Sequence, residues 1–225
     1  MKSRAYWEKR SLERMVSYMD SAEQVVAEIT KAYEQSAQYL TEEAEKVMKT
    51  FQGLSGVSEA EARRLLKEAK PDLNILQSLK AMAERTFDPD KRRELINRIN
   101  AQAYAARIRR MEQLNQNIKE QCEALYQAEL RDTTTHYKTL CEEAYLRSVF
   151  DIQQGTTLFF SFSRIPVSRV ERILKTAWSG ENYSERIWNN TQKLAQALKE
   201  ELLIGFMTGR SYEKTATCIM ERMGS

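Results

Sequence analysis

The side chains best suited to chemistry in this chain stand apart from one another. His136 is the sole histidine, which excludes a metal site or an acid–base dyad built on two imidazoles. It follows a run of three threonines, Thr133 to Thr135, in a helical context, where an exposed or core-satisfied imidazole is the expected state. Ser179 and Ser184 have no histidine near them in sequence, so nothing activates either hydroxyl. The carboxylate pairs Glu142-Glu143 and Glu200-Glu201 are adjacent and therefore point to different azimuths of a helix. Cys122, Cys141 and Cys218 are widely spaced, matching neither a disulfide framework nor a zinc pattern, and reduced buried thiols are expected. No GxxxxGK[ST] loop is present to cradle a nucleotide's phosphates, so the chain is not an ATP-driven motor. The residues point to no catalytic group, no metal and no cofactor, and to a protein that is not an enzyme.

Charge is the second chemical resource. Between residues 91 and 110 stand Lys91, Arg92, Arg93, Arg98, Arg107, Arg109 and Arg110 against a single acid, Glu94. Such a stretch could hold DNA phosphates through counterion release, or face an acidic protein surface. No turn-plus-recognition-helix arrangement accompanies it, and Tyr104 is its only aromatic, so sequence-specific readout is not expected. The net charge of +3 is too small to imply nucleic-acid binding by itself. Protein contact is the favoured reading, with non-specific double-stranded DNA as the alternative.

Helices must position these groups. The chain is 42% hydrophobic and 30% charged with only 7 Gly and 3 Pro, which suits a handful of long helices and is poor in turns for an all-β fold. Residues 5–52 contain neither Gly nor Pro, and apolar positions from Leu12, Met15, Val16 and Met19 to Val47 and Phe51 recur at steps of three and four. That predicts an amphipathic helix about 70 Å long, ended by Gly53 and Gly56. Ser58 and Glu61 form a capping-box pair for a helix over 58–70, and another follows over 72–86. Asp88-Pro89 marks a restart, with an aspartate cap and proline at the first helical position. The helical period then runs on to Ile152, with a kink or short break expected at Asp132 to Thr135, where aspartate and β-branched threonines compete with helix propagation. Residues 156–162 are predicted to be a short strand or extended linker. Pro166 starts a helix through Leu174, another spans 183–206, and a turn at Gly209 leads into a last one. The fold class is thus all-α: an elongated bundle of long helices over 1–154, whose leftover apolar seams would serve self-association, and a compact helical part over 155–225. Residues 1–14 carry charge throughout with no apolar leader, and no window of about 18 apolar residues occurs, so a soluble protein made in the cytoplasm is expected.

The most informative segment is Trp178-Ser179-Gly180-Glu181-Asn182-Tyr183-Ser184-Glu185-Arg186-Ile187-Trp188-Asn189-Asn190. Asn182 is placed to cap a helix with Glu185 reaching back, and Trp188 sits at helical spacing with Ile187, Leu194 and Leu198, as a core anchor or a docking residue. This segment resembles the signature of the phage head-morphogenesis (minor head, Mu F-like) proteins. Three further blocks are similar to that family in order and spacing: Tyr6-Trp7-Glu8-Lys9-Arg10; Leu54-Ser55-Gly56-Val57-Ser58-Glu59-Ala60-Glu61-Ala62; and Tyr145 to Gly155 followed by Phe160-Ser161-Phe162. The likeness covers nearly the whole chain.

The resemblance implies a low-copy virion protein at the head's portal vertex, assisting head assembly and DNA packaging or ejection. It also implies the portal protein as partner. The residues it singles out are Trp178, Ser179, Gly180, Asn182, Ser184, Arg186, Trp188, Asn189 and Asn190. Family members usually continue into a Mu F-type module whose opening resembles Leu203 to Ser211, whereas this chain ends at Ser225, as expected of a fragment or a shortened member. Two other functions remain as alternatives: a cytoplasmic helical DNA-binding protein, and the N-terminal delivery module of a longer toxin-bearing protein.

Overall fold

The computed structural model describes residues 3–48, 57–69, 74–157, 161–177 and 180–224. Among them the chain is all-helical: α1 (Arg4–Met48), α2 (Glu59–Ala69), α3 (Ile75–Glu84), α4 (Pro89–Asn100), α5 (Gln102–Thr156), α6 (Val167–Leu174), α7 (Tyr183–Thr208) and α8 (Tyr212–Met223). None of these helices is long and apolar enough to cross a membrane.

Local chemistry sets most of the helix starts. The Asp88 carboxylate accepts from the amides of Asp90 and Lys91, with Pro89 in the first turn of α4. Asn74 accepts from Gln77 N at 2.9 Å, Ser58 from Glu61 N at 3.3 Å and Ser211 from Lys214 N at 3.4 Å. Gly209, at φ 65°, makes the turn between α7 and α8. The expected glycine stop at Gly53 and Gly56 lies outside the described residues, as do Leu54-Ser55-Gly56 and Phe160 of the resembling blocks.

Two expectations about α4 and α5 are corrected. The helical run after Asp88 is interrupted at Ala101, which is extended (φ −66°, ψ 136°), although no Gly or Pro marks the place. Conversely, Asp132 to Thr135 lies within unbroken helix. There Thr135 and Thr139 donate their hydroxyls to the carbonyls of Arg131 and Thr135, four residues back, and Asp132 pairs with Arg131. Side chains that could have competed with the helix instead bond within it. Of the short strand or extended linker expected at 156–162, residues 158–160 lie outside the described residues; Thr156 ends α5, Thr157 has φ 57°, and 161–166 is irregular.

The chain clusters into two compact units, one of residues 1–32 and 126–189, the other of 33–125 and 190–225. Helices α1, α5 and α7 each supply residues to both, so the units are discontinuous in sequence and cut across the boundary read at 154/155. The second unit holds most of the apolar core: Leu40 of α1, Leu65 of α2, Leu79 and Met82 of α3, Met111, Leu114 and Ile118 of α5, Leu202 and Met207 of α7 and Ile219 of α8 are all buried. Burial of such a set is the main stabilising term for these helices.

The first unit is assembled differently. Among its described residues the buried hydrophobics are Ile165, Val170 and Ile187 alone. Its α1 segment meets α5 largely through polar and aromatic groups. Arg10 Nε lies 2.7 Å from Asp151 Oδ1, Arg14 pairs with the other Asp151 oxygen, and the Arg147 guanidinium sits 5.8 Å from the Tyr18 ring centre. Trp7 packs against Gly155, where a Cβ would stand 3.4 Å from its ring.

Candidate docking site

The signature block begins at Gly180, whose φ of 97° suits glycine. Asn182 and Glu185 then form a reciprocal capping box: Glu185 N donates to Asn182 Oδ1 at 3.0 Å and Asn182 N to Glu185 Oε2 at 2.9 Å. Two further bonds hold Glu181 over the first turns of α7. Asn189 Nδ2 donates to its carboxylate at 3.1 Å and Arg186 Nη2 to its carbonyl at 3.2 Å. The loop is thereby fixed to the helix that follows.

Aromatic groups then fix this part of α7 to α5. The Tyr183 hydroxyl shares a 2.7 Å hydrogen bond with Thr134 Oγ1, and its ring meets Tyr137 edge-on at 5.3 Å. Farther along, Trp188 meets Tyr126 edge-on at 5.0 Å. Such pairs contribute about 0.5–1.5 kcal/mol beyond area burial.

Trp188 is not the core plug that its spacing allowed. It remains 41% exposed, while its neighbour Ile187 is 7% exposed. One residue along a helix turns the side chain by about 100°, and the buried stripe of α7 runs through Ile187, leaving Trp188 on the flank. It borders a groove of about 470 Å³ together with Tyr126, Gly180, Glu181, Ser184 and Asn189. A half-covered indole beside fixed carboxylates and amides can take an apolar or cationic side chain from a partner. Of the other signature residues, Ser184 is half-buried, Asn190 and Arg186 are exposed, and Trp178 and Ser179 lie outside the described residues.

The basic stretch is divided by the break at Ala101: Lys91, Arg92, Arg93 and Arg98 belong to α4, and Arg107, Arg109 and Arg110 to α5. Arg92 donates twice to the Thr86 carbonyl, at 2.8 and 3.1 Å, and Arg98 pairs with Glu94. Lys91, Arg93, Arg109 and Arg110 are exposed. The stretch is therefore not one continuous cationic helix face, and part of it is structural.

A charged cluster in the second unit escapes sequence reading. Glu201 of α7 is only 2% exposed, and its Oε2 meets Arg210 Nη1 at 2.9 Å, with Arg210 itself 3% exposed. Its Oε1 meets Arg222 of α8 at 3.3 Å and Arg63 of α2 at 3.5 Å. Glu59 joins in, accepting from Arg63 at 3.1 Å and lying 3.2 Å from Arg210. Burial pushes the Glu201 carboxyl up, yet the guanidiniums of Arg210, Arg63 and Arg222 together hold it below the usual carboxylate range. The Arg63 hydrogen bond and the Arg210 charge do the same for Glu59. Hints existed in the i, i+4 pair Glu59–Arg63 and in Arg210 following the Gly209 turn, but no spacing rule joins Glu201 to either.

The remaining candidate groups do not converge. His136 Nδ1 lies 3.5 Å from Ser21 Oγ, a long contact. Cys122 is buried, and burial pushes its thiol up to about 11. Cys141 is only half-buried and shifted the same way, while Cys218 accepts from Arg210 Nη1 at 3.3 Å. Among the described residues no group of three or more His, Cys, Asp or Glu is placed to hold a metal ion. No family model, curated protein or solved structure matches the chain.

Proposed function

We propose that the chain is a minor head protein of a tailed bacteriophage, a low-copy virion component of the portal vertex that assists head morphogenesis and DNA packaging or ejection. It acts by binding, without catalysis, and the portal protein is its partner. The observation that carries this reading is the resemblance of four sequence blocks, in order and at compatible spacing, over nearly the whole chain. The geometry of the signature block supports it: a capped, rigid helix start presents a half-exposed Trp188, fixed against Tyr126, at the edge of a groove. Rigid aromatics of that kind make good interface anchors because little side-chain freedom remains to be lost on docking.

The test is co-sedimentation of the purified chain with the portal protein encoded in the same phage genome. The wild type should form a complex, and Trp188→Ala should weaken it by about tenfold or more, a hot-spot effect, while retaining its helicity. Equal binding by wild type and variant would remove Trp188 from the interface. Failure of the wild type to bind any portal preparation would remove the portal as partner.

A further inference from the structure

The amphipathic stripe at the start of α1 faces away from its own unit. Arg10, Arg14, Tyr18 and Ser21 make the contacts to α5 already described. On the opposite side Leu12 is 64% exposed, Met15 59%, Val16 49%, Met19 61% and Val26 60%. An inner face built on polar and aromatic groups, with aliphatic side chains on the outer one, departs from the usual arrangement of a surface helix. The exposed residues are not scattered, and the half-buried Ala22 falls in line with them. Leu12, Met15, Met19, Ala22 and Val26 follow steps of three, four, three and four, the a and d positions of a heptad seam.

We propose that this seam is an interface between two copies of the chain, with the two α1 segments antiparallel over residues 8–26. The seam complements itself in that direction. When a positions of one helix meet d positions of the other, Leu12 faces Ala22 and Met15 faces Met19, and both layers recur across the twofold axis. Large residues oppose small or flexible ones, as close packing requires. Charge selects the direction. In the antiparallel register the flanking positions bring Lys9 of one copy to Glu23 of the other, twice per dimer, and Val16 to Val16 at the axis. Both charged residues are exposed, and among the described residues Lys9 gives up a 3.9 Å surface pairing with Glu13. A parallel pairing sets Ser11 against Val16 and Tyr18 against Glu23, which offers no opposite charges. The seam is about 27 Å long, which places the contact at the small end of specific interfaces, under about 1,200 Å² in total, with a dissociation constant on the order of micromolar. This inference is independent of the virion reading.

The experiment is sedimentation equilibrium of the full chain over a concentration series centred on tens of micromolar, the range expected of so small an interface. Wild type should show a monomer–dimer equilibrium. Met15→Glu/Met19→Glu should raise the dissociation constant by about a hundredfold or more, since four carboxylates would meet at the axis, with unchanged helicity because both positions are exposed. Lys9→Glu alone and Glu23→Lys alone should each weaken the dimer, and the double exchange should restore it. A wild type that stays monomeric throughout overturns the proposal, as does a dimer indifferent to the methionine substitutions. Failure of the double exchange to restore association overturns the antiparallel register.

Discussion

Glu201→Gln removes a carboxylate whose two oxygens meet three guanidiniums, those of Arg210, Arg63 and Arg222, at 2.9, 3.5 and 3.3 Å. Arg63 and Arg222 are 42% and 48% exposed and can turn to solvent. Arg210, 3% exposed, cannot, and it would keep only Glu59 at 3.2 Å as an anion. Breaking a buried pair by removing one partner costs about 3–5 kcal/mol. The remaining Glu59 contact argues for the lower end, about 3 kcal/mol, or a fall in Tm of about 6–12 °C for a chain of this size. The assay is thermal and urea unfolding followed by circular dichroism at pH 7. The sign of the pH dependence follows from the depressed Glu201 carboxyl. Its stabilisation is complete above the unfolded carboxylate pKa of about 4.3 and is lost as pH falls through the lower folded value. The gap between wild type and Glu201→Gln should therefore be constant from pH 7 to about 5 and close below about pH 4. A variant within about 1 kcal/mol of wild type at pH 7, the worth of an exposed pair, would refute the idea that this cluster locks α2, α7 and α8 together.

Other outcomes follow from the same structure. Asn182→Ala breaks the capping box and should lower stability by about 1 kcal/mol, read from the same melts. Gly180→Ala meets no atom within 4 Å but forces φ 97° on an L-residue, so it should cost about 1–2 kcal/mol through backbone strain alone. With its thiol pushed up to about 11 by burial, Cys122 should be the last of the three cysteines alkylated at pH 8, as peptide mapping over time would record. Because Arg92 and Arg98 are engaged within the protein, duplex DNA should be held only at low salt and without sequence preference. Tight filter retention at physiological salt would contradict that.

The parts of the fold legible in the sequence are those governed by local chemistry. Caps such as Asp88-Pro89 and Asn182 with Glu185 depend on residues within one turn, and each forms as its spacing requires. Helix interiors were legible for the same reason. The break at Ala101 was not, since α4 ends there with no residue that forbids continuation. Thr133 to Thr135 misled in the opposite sense, because β-branching weakens a free helix while hydroxyl bonds one turn back and the Thr134–Tyr183 contact hold it here. Periodicity showed that α1 is amphipathic but not which side meets α5; Asp151, more than a hundred residues away, draws Arg10 and Arg14 inward. Likewise Trp188 and Ile187 were equally plausible core residues until the azimuth of α7 was set by its partners. Contacts between distant residues decide such cases, and local patterns do not encode them.

The most direct measurement of the proposed role is quantitative mass spectrometry of purified, nuclease-treated phage particles from the strain that encodes this chain, calibrated against the portal protein. A minor head protein should be found in intact particles at a few copies or fewer per portal ring, and should remain after washing at high salt. Its absence from mature particles and from assembling heads, with the chain recovered only from the soluble lysate, would contradict the virion assignment.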